Sequence, residues 1–241
     1  MEPEVTRLLE ASKAAYERCS SYRDSGEVVT VFIHDEPRPH RRTTIRPFKT
    51  LFVRPARFRF EFREQSIGPE DEWDRYVVTW QNGVARTSWT VTNKTEERDS
   101  LGLAIAGATG VSGGSAFCVP SLLLPNEIFG THVFREDEWT LESDEPVDGE
   151  ACARLRCTRE RGEEIMWIGR KTWLIRRVFE RETFDAEFQR RLEREANAAL
   201  SMSGRRADEA RDFTDFRTET TTRYRPQFDV HIDPAEFEAT A

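Results

Sequence analysis

The sequence predicts a single α+β domain, residues 1–241, in which one strongly curved antiparallel sheet, an open half-barrel, wraps around helices. Three observations predict this fold class. Segments of alternating apolar and charged residues follow one another with short turns between them, and such strands pair antiparallel. Helical patterns are grouped at three places instead of following each strand, which excludes a doubly wound parallel sheet. A long antiparallel sheet twists and curls, and an uncharged segment supplies a helix for it to curl around.

An amphipathic helix is predicted over residues 2–19. Its apolar and small side chains recur every three or four residues, as on one face of a helix. They are Val5, Leu8, Leu9, Ser12, Ala15 and Cys19. The N-terminus, Met1 to Glu4, is acidic and has no apolar run, so we expect no signal peptide in this chain. A cytoplasmic location fits the chain as it stands, and a periplasmic or cell-envelope location fits if a leader was removed.

Alternating patterns identify strands in the first half. The alternating apolar side chains are Phe58, Phe60 and Phe62 in one segment and Tyr76, Val78 and Trp80 in the next. The second segment leads into Asn82-Gly83, the favoured two-residue hairpin turn. Residues 84–91, which include Trp89, form the returning strand.

Residues 100–125 form an uncharged, Gly-rich insert that reads as helical. The lack of charge on any face predicts a helix that is buried on all sides. Five Gly and two Pro lie between Ser100 and Asn126. We therefore expect no transmembrane segment here, although the length alone raises the question.

The second half returns to strands. Sheet resumes near Trp139, and a hairpin centred on Gly169 places Trp167 on a strand. A second amphipathic helix is predicted over residues 184–204 because apolar residues recur at helical spacing. A long strand follows over residues 211–230, with Thr218, Thr220 and Thr222 on one face. Asp233-Pro234 then provides the N-cap and first residue of a short final helix.

Composition excludes some classes of function. The net charge is −8, so we expect no nucleic-acid partner, because phosphate binding relies on a basic excess. The four cysteines form no CxxC motif, which argues against structural zinc. Cys152 and Cys157 lie five residues apart on one predicted strand, so they point to opposite faces and do not bridge each other. We expect neither a cofactor nor a resident metal.

Two motifs suggest other chemistry. Residues 110–114 (GVSGG) match the G-x-S-x-G elbow of serine hydrolases, with His231 downstream. The elbow needs a buried strand before Ser112 and a helix after it, whereas residues 101–108 are rich in Ala and Gly. A hydrolase that uses Ser112 is kept as an alternative, and a buried helix ending in Gly is the favoured interpretation. His34 and His40 with Asp35 suggest a metal site, for which an exposed loop is the simpler interpretation.

Several segments resemble LolA-like proteins. The signature segments are residues 48–60 (FKTLFVRPARFRF), 80–83 (WQNG), 147–150 (VDGE), 166–170 (MWIGR), 174–177 (LIRR), 224–228 (YRPQF) and 232–237 (IDPAEF). This resemblance to the LolA/LolB-like family implies an unclosed antiparallel barrel with helices in its mouth. It also implies an apolar cavity for acyl chains, with Arg54 as the residue that gates it.

The leading hypothesis is therefore a non-enzymatic protein that binds a lipid, an acyl chain or a lipidated peptide. The expected lining residues are Phe58, Phe60, Trp80, Trp89 and Trp167, with Arg54 as the gate. The alternative is a protein-interaction or sensor domain without a small ligand, in which the helix over residues 184–204 docks a protein partner.

Overall fold

All strands of the described residues belong to one antiparallel sheet in the computed structural model of the chain. The structure describes residues 2–35, 39–65, 72–128, 134, 139–191, 194 and 214–238. The strands in these ranges are β1 (Ser21–His34), β2 (His40–Val53), β3 (Arg57–Gln65), β4 (Trp73–Gln81), β5 (Val84–Trp89), β6 (Lys94–Arg98), β7 (Trp139–Leu141), β8 (Glu145–Val147), β9 (Glu150–Arg159), β10 (Gly162–Gly169), β11 (Ile175–Phe184), β12 (Phe216–Arg223) and β13 (Gln227–Phe228).

The sheet is curved and open, as the sequence predicted. Its order is β6-β5-β4-β3-β2-β1-β12-β11-β10-β9-β7, with β13 beside β1 and β8 beside β9. Trp80 of β4 and Leu155 of β9 belong to one apolar core, although a flat sheet with strands about 4.8 Å apart would separate them by roughly 30 Å. The sheet therefore curls around the core. Its end strands β6 and β7 do not pair with each other.

Three helices lie on the concave side: α1 (Pro3–Arg18), α2 (Leu101–Val111) and α3 (Cys118–Leu123). Helix α1 is one residue shorter at each end than the predicted 2–19, and Pro3 stands in its first turn, where a missing N–H costs nothing. Buried side chains of all three helices share one apolar core with the inward-facing residues of the sheet. None of the helices within the described residues is both long and apolar enough to cross a bilayer.

The insert differs from its prediction in one respect. It contains two helices, α2 and α3, because Gly113 and Gly114 adopt positive φ angles of 67° and 88° and interrupt the chain, and this break does not contradict the prediction. Helix α2 is not buried on all sides: Leu103 is 54% exposed, and Ala106, Gly107 and Gly110 complete an exposed stripe. The prediction was wrong because Ala and Gly add little apolar surface, so an uncharged face can meet water at low cost.

The turn between β4 and β5 has the conformation that its sequence predicted. Asn82 and Gly83 have φ angles of 51° and 82°, which are the left-handed values of a type I′ hairpin turn. The register Gln81↔Val84 and Trp80↔Ala85 continues directly from the turn. This hairpin fixes which side chains of β4 face the helices.

Two predicted elements of the second half have different bounds. Within the described residues, the strand expected over residues 211–230 is two strands, β12 and β13, because residues 224–226 leave the ladder at Pro226, which has no N–H to donate. Residues 211–213 of that prediction lie outside the described residues. The helix predicted over residues 184–204 does not begin at residue 184, because Phe184 is the last residue of β11. Residues 186–191 are helical. The rest of that predicted helix, apart from residue 194, lies outside the described residues.

The cysteines do not form disulfides in the described structure. Cys19, Cys118, Cys152 and Cys157 all carry thiol groups that are not joined in a disulfide. Cys152 packs in a small apolar cluster on the outer face of the sheet, whereas Cys157 packs in the main core. The two side chains thus point to opposite faces, as their spacing predicted.

Strand β6 forms one edge of the open sheet. All five of its residues, Lys94-Thr95-Glu96-Glu97-Arg98, are exposed. Four of the five side chains are charged. Its partner β5 is the only strand beside it in the sheet order of the described residues.

A 3₁₀ helix, Pro234–Phe237, holds the C-terminal segment against the outer face of the sheet. The Asp233 side chain accepts a hydrogen bond from the Ala235 amide, and Glu236 completes a capping box. Phe237 is 1% exposed and packs with Leu51 and Ile232. The predicted Asp-Pro start of this element is therefore present, although the helix is a 3₁₀ helix.

Candidate functional site

A cavity of about 420 Å³ lies beyond the C-terminal end of α2, where the helices stop covering the concave face of the sheet. It is lined by Thr30, Phe32, Arg46, Gly110, Val111, Gly113, Gly114, Glu180, Glu182, Phe184, Thr218 and Thr220. The lining combines hydroxyl, carboxylate and aromatic groups. Val111 also packs against the apolar core, so the cavity adjoins the covered aromatic face.

Strand pairing explains why these side chains meet. Thr30 of β1 is opposite Thr220 of β12, and Thr220 is opposite Glu180 of β11. Residues opposite each other in an antiparallel pair point to the same face. The Thr30 and Thr220 hydroxyl oxygens lie 3.2 Å apart in a hydrogen bond. These three residues therefore form one row across the concave face.

The charges of the cavity differ in how they are compensated. Arg46 on β2 donates to Glu64 at 2.5 Å and to the Thr44 hydroxyl at 3.1 Å. Glu182 forms an ion pair with Arg161 at 2.8 Å. Glu180 forms no hydrogen bond or ion pair with the described residues. Burial raises the pKa of Glu180, an effect that Arg159 opposes and Glu182 reinforces.

Aromatic rings stack along the rim of the cavity, at the outer ends of four strands. The Phe184 and Phe216 rings are nearly parallel with centroids 4.7 Å apart, and His34 stacks on Phe216 at 5.2 Å. His40 stacks on His34 at 4.3 Å. The two histidines of the metal hypothesis therefore take part in a ring stack, and Asp35 pairs with Arg217. The described residues include no cluster of three or more His, Cys, Asp or Glu side chains able to hold a metal.

Arg54 donates hydrogen bonds to carbonyl groups at the C-terminal ends of two helices. Its Nε donates to the Cys19 carbonyl at 2.8 Å, and its Nη2 donates to the Tyr16 carbonyl at 2.9 Å. Nη2 also lies 3.5 Å from the Leu123 carbonyl at the end of α3. A guanidinium in this place satisfies carbonyls that a helix end leaves without partners. Arg54 thus links β2 to the C-terminal ends of α1 and α3.

The structure brings together four of the five aromatic residues expected to line a cavity. Phe58 and Phe60 are fully buried, Trp80 is nearly so, and all three lie in the main core with the helices. Trp89 is half-buried and packs against the same core. Helices α2 and α3 occupy the space in front of these rings. Among the described residues, the cavity on the concave face beyond α2 is lined by other, largely polar residues and by none of these five aromatic side chains.

Trp167 lies apart from the other four, on the outer face of the sheet. It packs with Val147, Cys152 and Ile165, and the Arg177 guanidinium lies 3.7 Å from the centre of its ring. Its Nε1 donates to Glu145 at 3.1 Å. Trp167 is therefore buried in a small cluster on the outer face of the sheet.

Ser112 does not have the geometry of a hydrolase nucleophile. It is fully buried and is the C-cap of α2, so a helix precedes it where the elbow requires a strand. Its hydroxyl accepts a hydrogen bond from the Ala116 amide at 3.3 Å. The side chain closes the turn between α2 and α3.

Sequence reasoning missed the polar row of Thr30, Thr220 and Glu180. The signal was present in the alternating threonines of residues 218–222, since a strand that carries only Thr on one face seldom packs that face into an apolar core. Glu180 gave no such signal, because a glutamate on a strand usually faces solvent.

Comparison with known proteins gives matches at the level of structure only. No protein-family profile matches the chain, and no curated protein matches it. The chain is similar in fold to a LolA-superfamily protein from Nitrosomonas europaea. The identity is 9%, 98% of this chain and 97% of that chain are covered, and the TM-score is 0.33. The sequence resemblance predicted this likeness.

Two further solved structures are similar over nearly the whole chain. LprF from Mycobacterium bovis is 10% identical, with 96% of each chain covered and a TM-score of 0.46. A DUF1329 family protein from Desulfovibrio piger is 12% identical, with 99% of this chain and 98% of that chain covered and a TM-score of 0.37. These likenesses concern the fold alone.

Proposed function

We propose that this chain is a non-catalytic binding protein that holds a lipid, an acyl chain or a lipidated peptide between the concave face of its sheet and the helices on it. One observation carries the proposal. An open cavity of about 420 Å³ begins where α2 ends, and the uncharged helix beside it covers a face of buried aromatic rings.

Helix α2 is suited to move away from that face. It carries no charged side chain (LGLAIAGATGV), so its displacement breaks no ion pair. An acyl chain that replaces it offers the rings of Phe60 and Trp80 an apolar surface of the same kind, and the transfer free energy of the rings changes little. The cost is the loss of close packing around the small helical residues.

Arg54 is the gate in this proposal. Its hydrogen bonds to the Tyr16, Cys19 and Leu123 carbonyls hold the ends of α1 and α3 together over the core. Breaking them frees α3, and with it the α2–α3 segment, from β2. Lysine cannot reproduce the fork of donors that spans three carbonyls.

The proposal is tested by binding of a fluorescent fatty acid, cis-parinaric acid, to wild type, Arg54→Leu and Arg57→Leu. We expect binding to wild type and faster, tighter binding to Arg54→Leu, because the covering helices are released. Arg57 is exposed and lies three residues further along, so Arg57→Leu serves as the matched control and should behave as wild type. Native mass spectrometry after mild extraction should show a co-purified lipid.

The proposal fails if neither wild type nor a folded Arg54→Leu variant binds the fatty acid and no lipid is extracted. Far-UV circular dichroism of both variants separates this outcome from unfolding. Arg54→Lys keeps one donor group and the charge, and we expect it to bind at an intermediate rate.

The protein-partner alternative stays a prediction. It concerns the helix over residues 184–204, of which the structure describes the helical residues 186–191 and residue 194.

A further inference from the structure

The cavity beyond α2 contains a carboxylate, Glu180, that Arg159 influences only through its charge, because the Arg159 guanidinium is ion-paired with Glu164. Glu180 forms no hydrogen bond or ion pair with the described residues, while the neighbouring carboxylate of Glu182 is paired with Arg161. A partly buried carboxylate without a hydrogen-bonding partner destabilises the folded state, and no structural contact of Glu180 offsets that cost. Such a group is expected where a ligand supplies the missing charge.

The groups around Glu180 match the hydrogen-bonding needs of one chemical class. A primary ammonium group has three N–H donors and no acceptor. Glu180 offers carboxylate oxygens, and the hydroxyls of Thr30 and Thr220 in the same row offer further acceptors. The cationic residue of the cavity, Arg46, stands on β2 and is already engaged by Glu64.

The rim and the floor of the cavity are also suited to an ammonium group that carries an apolar chain. The Phe184 ring lines the cavity and stacks on Phe216, and aromatic faces attract cations. The floor is made by the end of α2, where a Cβ at Gly110 or Gly114 would meet no atom within 4 Å. The floor is therefore open, and it continues into the apolar stripe of α2 that ends at Gly110.

We infer that this cavity binds the ammonium group of an amphiphilic ligand, with Glu180 as its counter-ion and the Thr30–Thr220 pair as hydrogen-bond acceptors. The inference rests on the proposed function for the apolar part of the ligand, and it adds the chemistry of the polar end. A soluble alkylamine and an aminolipid headgroup present this same group.

The test measures binding of n-octylammonium and n-octanol by isothermal titration calorimetry. The two probes share a tail and differ in the polar end. We expect wild type to bind octylammonium about ten-fold or more tightly than octanol, as a charge-assisted hydrogen bond provides. Glu180→Gln should lose this preference, and Thr220→Val should reduce it.

Glu219→Gln is the matched control. Glu219 lies on β12 next to Thr220 but points to the outer face, where it pairs with Arg181. We expect it to bind both probes as wild type does. Glu180→Gln should melt at the same temperature as wild type or higher, since it removes a buried charge, so its loss of binding cannot come from unfolding. Equal binding of the two probes by wild type, or an unchanged preference in Glu180→Gln, would overturn the inference.

Two further measurements separate this site from the proposed function and identify the source of the ligand. If n-butylammonium binds through Glu180 while cis-parinaric acid does not bind at all, the ammonium site stands and the lipid function fails. If cis-parinaric acid and octanol bind but octylammonium shows no preference, the lipid function stands and the ammonium site fails. Competition between octylammonium and phosphatidylethanolamine vesicles indicates an aminolipid headgroup, and its absence beside tight octylammonium binding indicates a soluble amine.

Discussion

Asp24 is a buried carboxylate near the start of β1, on the concave face. It is 1% exposed, and its Oδ1 accepts a hydrogen bond from the Arg225 amide at 2.6 Å. Burial raises the pKa of Asp24 to about 6, although the Arg225 amide opposes the shift. Asp24 therefore connects the stability of the core to pH, because the folded state holds its proton more tightly than the unfolded chain does.

Asp24→Asn tests this connection. An acid whose pKa is raised on folding loses stability as the pH rises between its unfolded pKa of 3.8 and its folded pKa of about 6. We expect the unfolding free energy of wild type, relative to that of Asp24→Asn, to fall by about 2–3 kcal/mol as the pH rises through this window. Urea denaturation of both proteins at several pH values measures the difference. A constant difference would show that Asp24 does not titrate in this range.

Individual residues also show what the sequence could and could not predict. Phe58 and Phe60 lie on the concave face, where the sequence predicted them, because charged residues alternate with them and fix that face, although they pack in the core and were expected to line a cavity. The face of Trp167 was not predicted correctly, because residues 165–168 (IMWI) are apolar on both faces of β10. When every residue of a strand is apolar, the sequence pattern does not indicate which side chains face the core. Ile165 and Trp167 lie in the outer cluster, while Met166 and Ile168 lie in the core.

At the scale of elements, the C-terminal 3₁₀ helix is attached to several strands of the sheet by side-chain contacts. Lys49 and Arg23 both bind Glu236, at 3.1 and 2.6 Å, and Gln81 donates to the Phe237 carbonyl at 3.3 Å. The segment therefore joins β1, β2 and β4 on the outer face of the sheet. Exposed ion pairs contribute little, so Phe237 supplies most of the attachment.

Phe237→Ala should therefore destabilise the fold by about 3–4 kcal/mol, as expected for removal of a fully buried aromatic ring. Urea denaturation measures the loss. Val91→Ala provides the control, because Val91 is 57% exposed and its truncation should change stability by less than about 0.5 kcal/mol. Equal effects of the two substitutions would show that the 3₁₀ helix is not held by its ring.

Prediction of the elements succeeded where local chemistry decides the conformation. Asn82-Gly83 and Asp233-Pro234 specify a turn and a cap through their own backbone preferences. The α2–α3 insert was only partly predicted, because its exposure depends on what the rest of the chain packs against it. The cavity depends in the same way on side chains from β1, β11 and β12, which no local pattern brings together.

At the scale of the whole molecule, β1 joins the two halves of the chain. It pairs with β2 along 14 residues and with β12 along eight. The strands before the α2–α3 insert lie on one side of β1, and β7 to β12 lie on the other. Neither half has a complete core without β1 and the helices.

We therefore expect the chain to unfold as one cooperative unit, in accordance with the prediction of a single domain over residues 1–241. Tryptophan fluorescence and far-UV circular dichroism should give coincident urea transitions. Trp80 reports on the first half and Trp167 on the second. Two separate transitions would show that the halves fold independently.

An open sheet also has an edge that another chain can extend. Strand β6 presents Lys94, Glu96, Glu97 and Arg98 along that edge, all exposed. An incoming strand would have to bring its own backbone beside these charges and remove water from them, which disfavours strand addition. The charged edge thus protects the curled sheet against aggregation through its backbone, and a change of Glu96 and Glu97 to valine would remove this protection.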